Sequence, residues 1–188
     1  MDGTMNFGSY ETETFRDEFF ESNGVPRDAA RILVERINAL PAERLLARQK
    51  AIEQTLMRMG ITFAVYGDQQ GTEKIFPFDI VPRIISAIEW GHVEAGLKQR
   101  IKALNRFVHD IYHDQEIVND NIVPRNLLED AASYRPQCHG LEPPLGVWCH
   151  VTGTDLIRHS DGAIYVLEDN LRCPSGVSYV LQIGRAHV

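Results

Sequence analysis

Residues Gly153–Tyr179 read GTDLIRHSDGAIYVLEDNLRCPSGVSY, and this stretch decides the fold of the 188-residue chain. Two runs of alternating apolar and polar residues flank Ser160–Gly162, and an Asp-Gly pair between such runs is typical of a tight β-hairpin. With a two-residue loop, Asp155 pairs with Glu168, and Asn170 lies on the same face, because residues two apart on a strand share a face. A three-residue loop would separate Asp155 from Glu168.

The polar side chains at the base of this hairpin have the composition of a cation site. Directly opposed carboxylates, such as Asp155 and Glu168, repel each other in a bare hairpin. A divalent cation would attract both, and carboxylate and amide oxygens are the ligands that Mg²⁺ prefers. We therefore predict that Asp155, Glu168 and Asn170 bind a metal ion.

A predicted phosphate site follows along the chain. The planar guanidinium of Arg172 suits phosphate oxygens. Ser175 and Gly176 belong to a predicted turn after Pro174, and the backbone N–H groups of such a turn can approach an anion. The alternative is a solvated surface hairpin, since exposed acids are ordinary. The amide, the arginine and the glycine turn so close to Glu168 favour the site.

These residues carry a resemblance to a known family. Asp155 followed by Glu168–Arg172 (EDNLR) resembles the metal-binding strand pair of ATP-grasp enzymes, which have an Asp and then an E-x-N-x-R run. The string EDNLR-PSGVSY, with Phe76–Arg83 (FPFDIVPR) and Glu89–Asn105 (EWGHVEAGLKQRIKALN), resembles the circularly permuted ATP-grasp family more closely. The resemblance covers roughly Phe76 to Leu181.

The resemblance implies an activity and its cofactors. It implies Mg²⁺ (or Mn²⁺) on Asp155, Glu168 and Asn170, and ATP, with Arg172 contacting phosphate as the catalytic residue. The reaction would be ADP-forming ligation, in which ATP phosphorylates a carboxylate and an amine attacks the acyl phosphate. The partners would be small-molecule or peptide-like carboxylate and amine substrates.

Two further arginines lie in the matching segments. Arg83 and Arg100 are candidates for substrate contact on the strength of the resemblance. The alternative is a solvated helix face, which is the usual position of such charges.

The expected fold class is α+β, with N-terminal helices and then a mixed segment that ends in the antiparallel hairpin, as an incomplete ATP-grasp-like domain. Apolar spacing predicts helices over Arg27–Leu40, Pro41–Met59, Ile84–Tyr112 and Pro124–Asp130, and strands over Ile61–Tyr66 and Val147–Thr152. We divide the chain into residues 1–75 (arm, helices and a short strand), 76–182 (partial circularly permuted ATP-grasp domain) and 183–188.

The last six residues, Ile183–Val188 (IGRAHV), are what a common sequencing-adapter DNA string encodes. We therefore expect an adapter artefact at the end of a truncated gene fragment, with native sequence to about Gln182. A lysine-bearing nucleotide lobe is then expected after the EDN run of the parent protein.

Composition excludes several classes of partner and compartment. The net charge of −7 argues against a nucleic-acid partner, which favours a basic patch. No stretch approaches the ~18 apolar residues of a membrane span, and the N-terminus has no secretory signal. The three cysteines are then expected to be reduced thiols in the cytoplasm. The sequence does not indicate an oligomeric state.

Alternative chemistries have weaker support. The pairs Cys138-His139 and Cys149-His150 match no familiar zinc spacing, and Cys173 has no evident activating histidine. Neither a P-loop nor a GxGxxG fingerprint is present. The alternatives to a ligase are a non-catalytic module that binds a cation or a partner, and a degenerate ATP-grasp scaffold that mediates assembly.

Overall fold

The computed structural model describes residues 7–12, 16–64 and 73–185. In these residues the fold is α+β, as predicted, with six α-helices and three two-stranded sheets. The helices are α1 (Arg31–Asn38), α2 (Ala42–Arg58), α3 (Ala87–Ile111), α4 (Glu116–Asn119), α5 (Arg125–Glu129) and α6 (Gly176–Arg185). The strands are β1 (Phe20–Ser22), β2 (Val25–Pro26), β3 (Thr62–Ala64), β4 (Glu73–Ile75), β5 (Gly153–Arg158) and β6 (Ile164–Asn170).

The described residues form two compact units. Unit 1 is drawn from residues 1–87, 157–165 and 175–188, and unit 2 from residues 88–156 and 166–174. The predicted metal ligands all belong to unit 2.

Local sequence signals place the ends of helix α2 well. Pro41 is its N-cap residue, in keeping with the prediction that this proline opens the helix. Gly60 follows the C-terminus with φ +72°, and Ile61 N–H donates to the Leu56 carbonyl oxygen at 2.9 Å. This is the Schellman arrangement, in which glycine adopts the left-handed conformation without a steric penalty. Helix α3 continues through Trp90 and Gly91 for 25 residues without a break.

Each unit has a small apolar core. In unit 1, Phe20, Ala30 and Val34 are buried, and Phe7, Phe19 and Ile84 pack against them. In unit 2, Ile111, Tyr112, Val118 and Leu128 are buried, and their partners include Phe107, Tyr134 and Trp148. The unit 2 core fixes the C-terminal end of α3, from which the chain turns into α4 and α5.

The predicted strand over Val147–Thr152 is wrong, since the segment is irregular in the structure. The backbone N–H groups of Trp148 and Cys149 both donate to Asn105 Oδ1, at 2.8 and 3.0 Å. A single amide side chain on α3 thus replaces the partner strand that the alternation of VWCHVT suggested.

The predicted strand Ile61–Tyr66 is observed as β3, over Thr62–Ala64, and residues 65 and 66 lie outside the described ranges. Strand β4 begins inside the polar stretch that follows, and it pairs antiparallel with β3. Residues 186–188 at the other end of the chain also lie outside the description.

None of the helices in the described part of the chain combines the length and the apolar character that a membrane span requires.

Candidate metal and phosphate site

The hairpin forms where the sequence predicts it, but its loop has three residues. His159 N–H donates to the Ala163 carbonyl oxygen at 2.9 Å, and Gly162 N–H donates to the His159 carbonyl oxygen at 2.9 Å. The loop is therefore Ser160–Gly162, and Gly162 has φ +91°, as in a type I turn with a glycine bulge. Asp161 favours this turn because its Oδ1 accepts the Ala163 N–H at 2.8 Å, which lowers the pKa of Asp161.

Strand β6 also departs from regular alternation near its C-terminal end, and this departure affects the face on which Glu168 lies. Leu167 and Glu168 are both exposed, which interrupts the alternation of strand β6. Asp169 then lies opposite Thr154, whose Oγ1 donates to Asp169 Oδ1 at 2.9 Å. Glu168 is therefore exposed like Asp155 on strand β5, although the loop alone would have separated their faces.

The two predicted carboxylate ligands are exposed on neighbouring strands. Neither Asp155 nor Glu168 makes a side-chain hydrogen bond or an ion pair with any described residue. Exposed, unpaired oxygen donors on neighbouring strands fit Mg²⁺ or Mn²⁺, which retain several waters and bind through one or two carboxylates.

The third predicted ligand, Asn170, is also exposed but is already hydrogen-bonded. Its Oδ1 accepts the backbone N–H groups of Arg172 at 3.3 Å and Cys173 at 3.1 Å. These bonds hold the turn after strand β6 and fix the direction of the amide. An amide oxygen has two lone pairs, so a metal ion would replace the longer of these two contacts.

The acid between the predicted ligands has a different role. Asp169 Oδ2 pairs with Arg100 Nε at 2.5 Å, and the Asp169 side chain is only 8% exposed. The sequence analysis did not single out Asp169, although its position between Glu168 and Asn170 places it on the opposite face of a regular strand. Arg100, predicted as a substrate contact, is held by this ion pair on α3.

Arg83 belongs to an ion-pair cluster in unit 1. Glu18 Oε2 accepts from Arg83 Nε at 2.8 Å, and Glu18 Oε1 accepts from Arg158 Nε at 3.2 Å. Arg158 also donates to the Gly162 carbonyl oxygen at 3.2 Å. This cluster gives Arg83 a structural contact, and a substrate role for Arg83 stays a prediction.

The predicted phosphate contacts lie directly after the hairpin. The Arg172 side chain is exposed and has no partner in the described ranges. Ser175 and Gly176 stand at the start of α6, where the Ser175 carbonyl oxygen accepts from Ser178 N at 3.1 Å and Ser178 Oγ at 2.6 Å. The predicted turn is therefore the first turn of a helix, whose N–H groups favour anions.

The structure describes the surroundings of both Cys/His pairs. His139 Nε2 lies 2.5 Å from the Tyr134 hydroxyl, and burial raises the pKa of the Cys149 thiol. Over residues 7–12, 16–64 and 73–185, no cluster of three metal-ligating side chains includes either Cys138 or Cys149.

A close contact fixes the turn after β6 against strand β5. A Cβ added to Gly153 would lie 2.8 Å from Pro174 Cβ, closer than real Cβ atoms approach. Gly153→Ala is therefore expected to destabilise the protein by about 1–3 kcal/mol, because the proline ring cannot rotate away. Thermal unfolding measures the change.

The matched control for this substitution is Gly96→Ala. Gly96 lies inside α3, and an added Cβ there meets nothing within 4 Å. Alanine is the better helix former, so this variant should gain roughly 0.5–1 kcal/mol. Equal stability of the two variants would show that the contact with Pro174 is easily relieved.

Comparison with known proteins decides the family. A sequence model described as circularly permuted ATP-grasp type 2 matches residues 82–187, more than half of the chain and the whole hairpin. The chain belongs to the circularly permuted ATP-grasp family. The family recognised from the EDNLR run is thus confirmed. ATP-grasp enzymes generally use ATP and Mg²⁺.

The relatives extend far beyond the matched region. An uncharacterised protein of Synechocystis is 51% identical over 178 residues, which are 95% of this chain and 37% of the relative. An uncharacterised protein of Mycobacterium tuberculosis is 42% identical over 184 residues, 96% of this chain and 33% of the relative. A Frankia alni protein, provisionally named glutamate–cysteine ligase 2-3, is 40% identical over 168 residues, 88% of this chain and 19% of the relative. The chain spans about a third of the length of the first two relatives.

Proposed function

We propose that this chain is the metal-binding part of an ATP-dependent, ADP-forming carboxylate–amine ligase. One observation carries the proposal: Asp155 and Glu168 are exposed on paired strands without a side-chain partner among the described residues, whereas the Asp169 side chain between the predicted ligands is only 8% exposed and is paired. If these acids served only to keep the hairpin soluble, there would be no reason for Asp169 to be paired and shielded while Asp155 and Glu168 stay exposed. Membership of the ATP-grasp family and the ligase name of the Frankia relative support the reaction class.

Each residue has a distinct proposed role. Asp155, Glu168 and Asn170 would hold Mg²⁺ (or Mn²⁺), which when bound offsets the negative charge of nucleotide phosphates. Arg172 would donate hydrogen bonds to the transferred phosphoryl group, since its guanidinium is exposed and unpaired in the described structure. Asn170 would also hold the turn that carries Arg172, because its side chain accepts the Cys173 N–H at 3.1 Å.

The substrate class is a small-molecule or peptide-like carboxylate together with an amine. The Frankia relative's name pairs a glutamate carboxylate with the amine of cysteine, which supports this chemistry without identifying either substrate here.

We also propose that the native protein is longer than this chain. The chain spans about a third of the length of the Synechocystis and Mycobacterium tuberculosis relatives. In helix α6 the side chains of Val180 and Leu181 are 70% and 61% exposed. Apolar side chains exposed to this degree in the middle of a helix suit a surface that further protein covers. The continuation would supply the nucleotide lobe with its lysines, and the protein would act in the cytoplasm.

The test is ADP formation by the complete reading frame. The gene is sequenced through and beyond the Gln182 codon, and the full protein is assayed with ATP, Mg²⁺ and pools of amino acids as carboxylates and amines. We expect ADP release that requires Mg²⁺ and rises when both substrate classes are present. Metal binding without nucleotide turnover in the full protein would instead support a binding module or a degenerate scaffold.

A further inference from the structure

Two histidines and a glutamate come together at the C-terminal end of helix α3. Their potential ligand atoms, on His109, His113 and Glu142, all lie within 4.8 Å of one another. His109 and His113 are four residues apart, so they share one face of the helical turn, and their rings stack at a centroid distance of 3.9 Å. Histidines at this spacing on a helix are a well-known pair of metal ligands.

The hydrogen bonds of His113 determine which ring nitrogen carries a proton. His113 Nδ1 lies 2.8 Å from the His109 carbonyl oxygen, and a carbonyl oxygen can only accept, so Nδ1 carries the hydrogen. In neutral His113 the lone pair is then on Nε2, which lies 3.1 Å from Glu142 Oε1. Two acceptors at this distance repel each other unless a proton or a cation lies between them.

A metal ion, like a proton, would remove this repulsion. A proton on Nε2 would leave a single ion pair to Glu142, whose side chain is 72% exposed, and exposed pairs contribute little. A divalent ion would bind both imidazoles and the carboxylate together. An Nδ1–H donated to a carbonyl oxygen is the usual support behind a ligating histidine.

We propose that His109, His113 and Glu142 bind a divalent transition-metal ion of the Zn²⁺ type. Two imidazoles and one carboxylate form a mixed nitrogen and oxygen set that leaves a fourth position for water. Ligand atoms around tetrahedral zinc are about 3.4 Å apart, given bonds of about 2.0–2.1 Å, so the side chains must close slightly. The exposed Glu142 side chain is free to move, and the stacked rings of His109 and His113 must turn toward the ion, because the lone pair of an imidazole nitrogen lies in the plane of its ring.

The surroundings of the site agree with this assignment. His109 lines a cleft of about 1130 Å³, so solvent and ions can reach this histidine. The contact between Trp148 Nε1 and His109 Nδ1 is long, at 3.5 Å, and would compete only weakly with a metal ion. Asp110 is excluded as a ligand because its two oxygens accept the Glu116 and Ile117 N–H groups, at 2.8 and 3.1 Å.

The site is chemically distinct from the one proposed for the ligase. Imidazole nitrogen favours zinc, cobalt and nickel, whereas Asp155, Glu168 and Asn170 offer only oxygen atoms, which favour Mg²⁺ and Mn²⁺. The inference therefore does not depend on the proposed function.

The test is metal titration of the 188-residue chain after dialysis against a chelator. Calorimetry with Zn²⁺ is expected to show one saturable site, and Co²⁺ to give visible absorption bands of nitrogen and oxygen coordination. His113→Gln should raise the Zn²⁺ Kd by about 100-fold or more, and Glu142→Gln by about 10-fold. His92→Gln removes an exposed histidine from the same helix and should leave the Kd unchanged.

The variants also separate metal binding from folding. Glu142 is mostly exposed, so Glu142→Gln should keep its far-UV circular dichroism even if His113→Gln does not fold. Glu168→Gln should retain Zn²⁺ binding, which keeps this test independent of the ligase site. Lack of a saturable Zn²⁺ site in the wild type, or equal weakening by His92→Gln, would overturn the proposal.

Discussion

Glu168→Gln in the complete protein is expected to reduce Mg²⁺-dependent ATP turnover by at least about 100-fold while the protein remains folded. Glutamine keeps the shape of the side chain but removes the negative charge. Glu168 is exposed and makes no internal side-chain hydrogen bond or ion pair among the described residues, so its removal costs the fold almost nothing. The loss should therefore appear in metal binding and turnover and not in the melting temperature.

Two measurements check this expectation. Manganese binding to the 188-residue chain, followed by electron paramagnetic resonance, should weaken by about 10–100-fold in Glu168→Gln. The control is Glu129→Gln, which removes one exposed carboxylate elsewhere in unit 2 and so matches the change in net charge. Wild-type turnover in Glu168→Gln would refute the assignment of this residue as a metal ligand.

Asp169→Ala, unlike Glu168→Gln, is expected to destabilise the fold, with a loss of about 2–3 kcal/mol in the free energy of unfolding. The buried Asp169 carboxylate joins α3 to strand β5 through Arg100 and Thr154. Removing it leaves both donors without their acceptor. We place the loss below that of a fully buried ion pair because the Arg100 side chain is 47% exposed and can regain water.

The neighbouring position provides the control for this variant. Glu168→Ala makes the same type of change one residue earlier, and its effect should stay within about 0.5 kcal/mol. Chemical denaturation measures both, and a double-mutant cycle with Arg100→Ala isolates the pair. If Asp169→Ala and Glu168→Ala were equally stable, the division of roles between the two acids would be wrong.

The sequence alone predicts the elements whose signals are local. Helix α2 ends where Gly60 follows it, because only a residue without Cβ takes the left-handed conformation freely. Helix α3 follows from its apolar spacing, and the hairpin follows from the Asp-Gly pair between two alternating runs. The EDNLR run likewise carries the family assignment, which needs side-chain identities in order and no coordinates.

Tertiary structure decided the details that depend on hydrogen bonds between distant residues. The strand over Val147–Thr152 was wrong because Asn105, more than forty positions earlier, accepts the N–H groups of Trp148 and Cys149. Similarly, the cluster of His109, His113 and Glu142 joins a helix to a loop 29 residues further on, and no short pattern records that meeting.

The two faces of the hairpin show most clearly what sequence predicts and what tertiary structure decides. The sequence by itself determined which residue types stand at Asp155, Glu168 and Asn170, and hence the chemistry available there. Only the folded hairpin determined that Glu168 is exposed while the Asp169 side chain is only 8% exposed, because a three-residue loop reverses the strand parity and the alternation of β6 is interrupted at Leu167 and Glu168. Strand parity has a period of two residues, so one extra residue in a turn changes every face beyond it. The hydrogen bonds that close the turn, together with the contact of Asp169 with Arg100, settle that register.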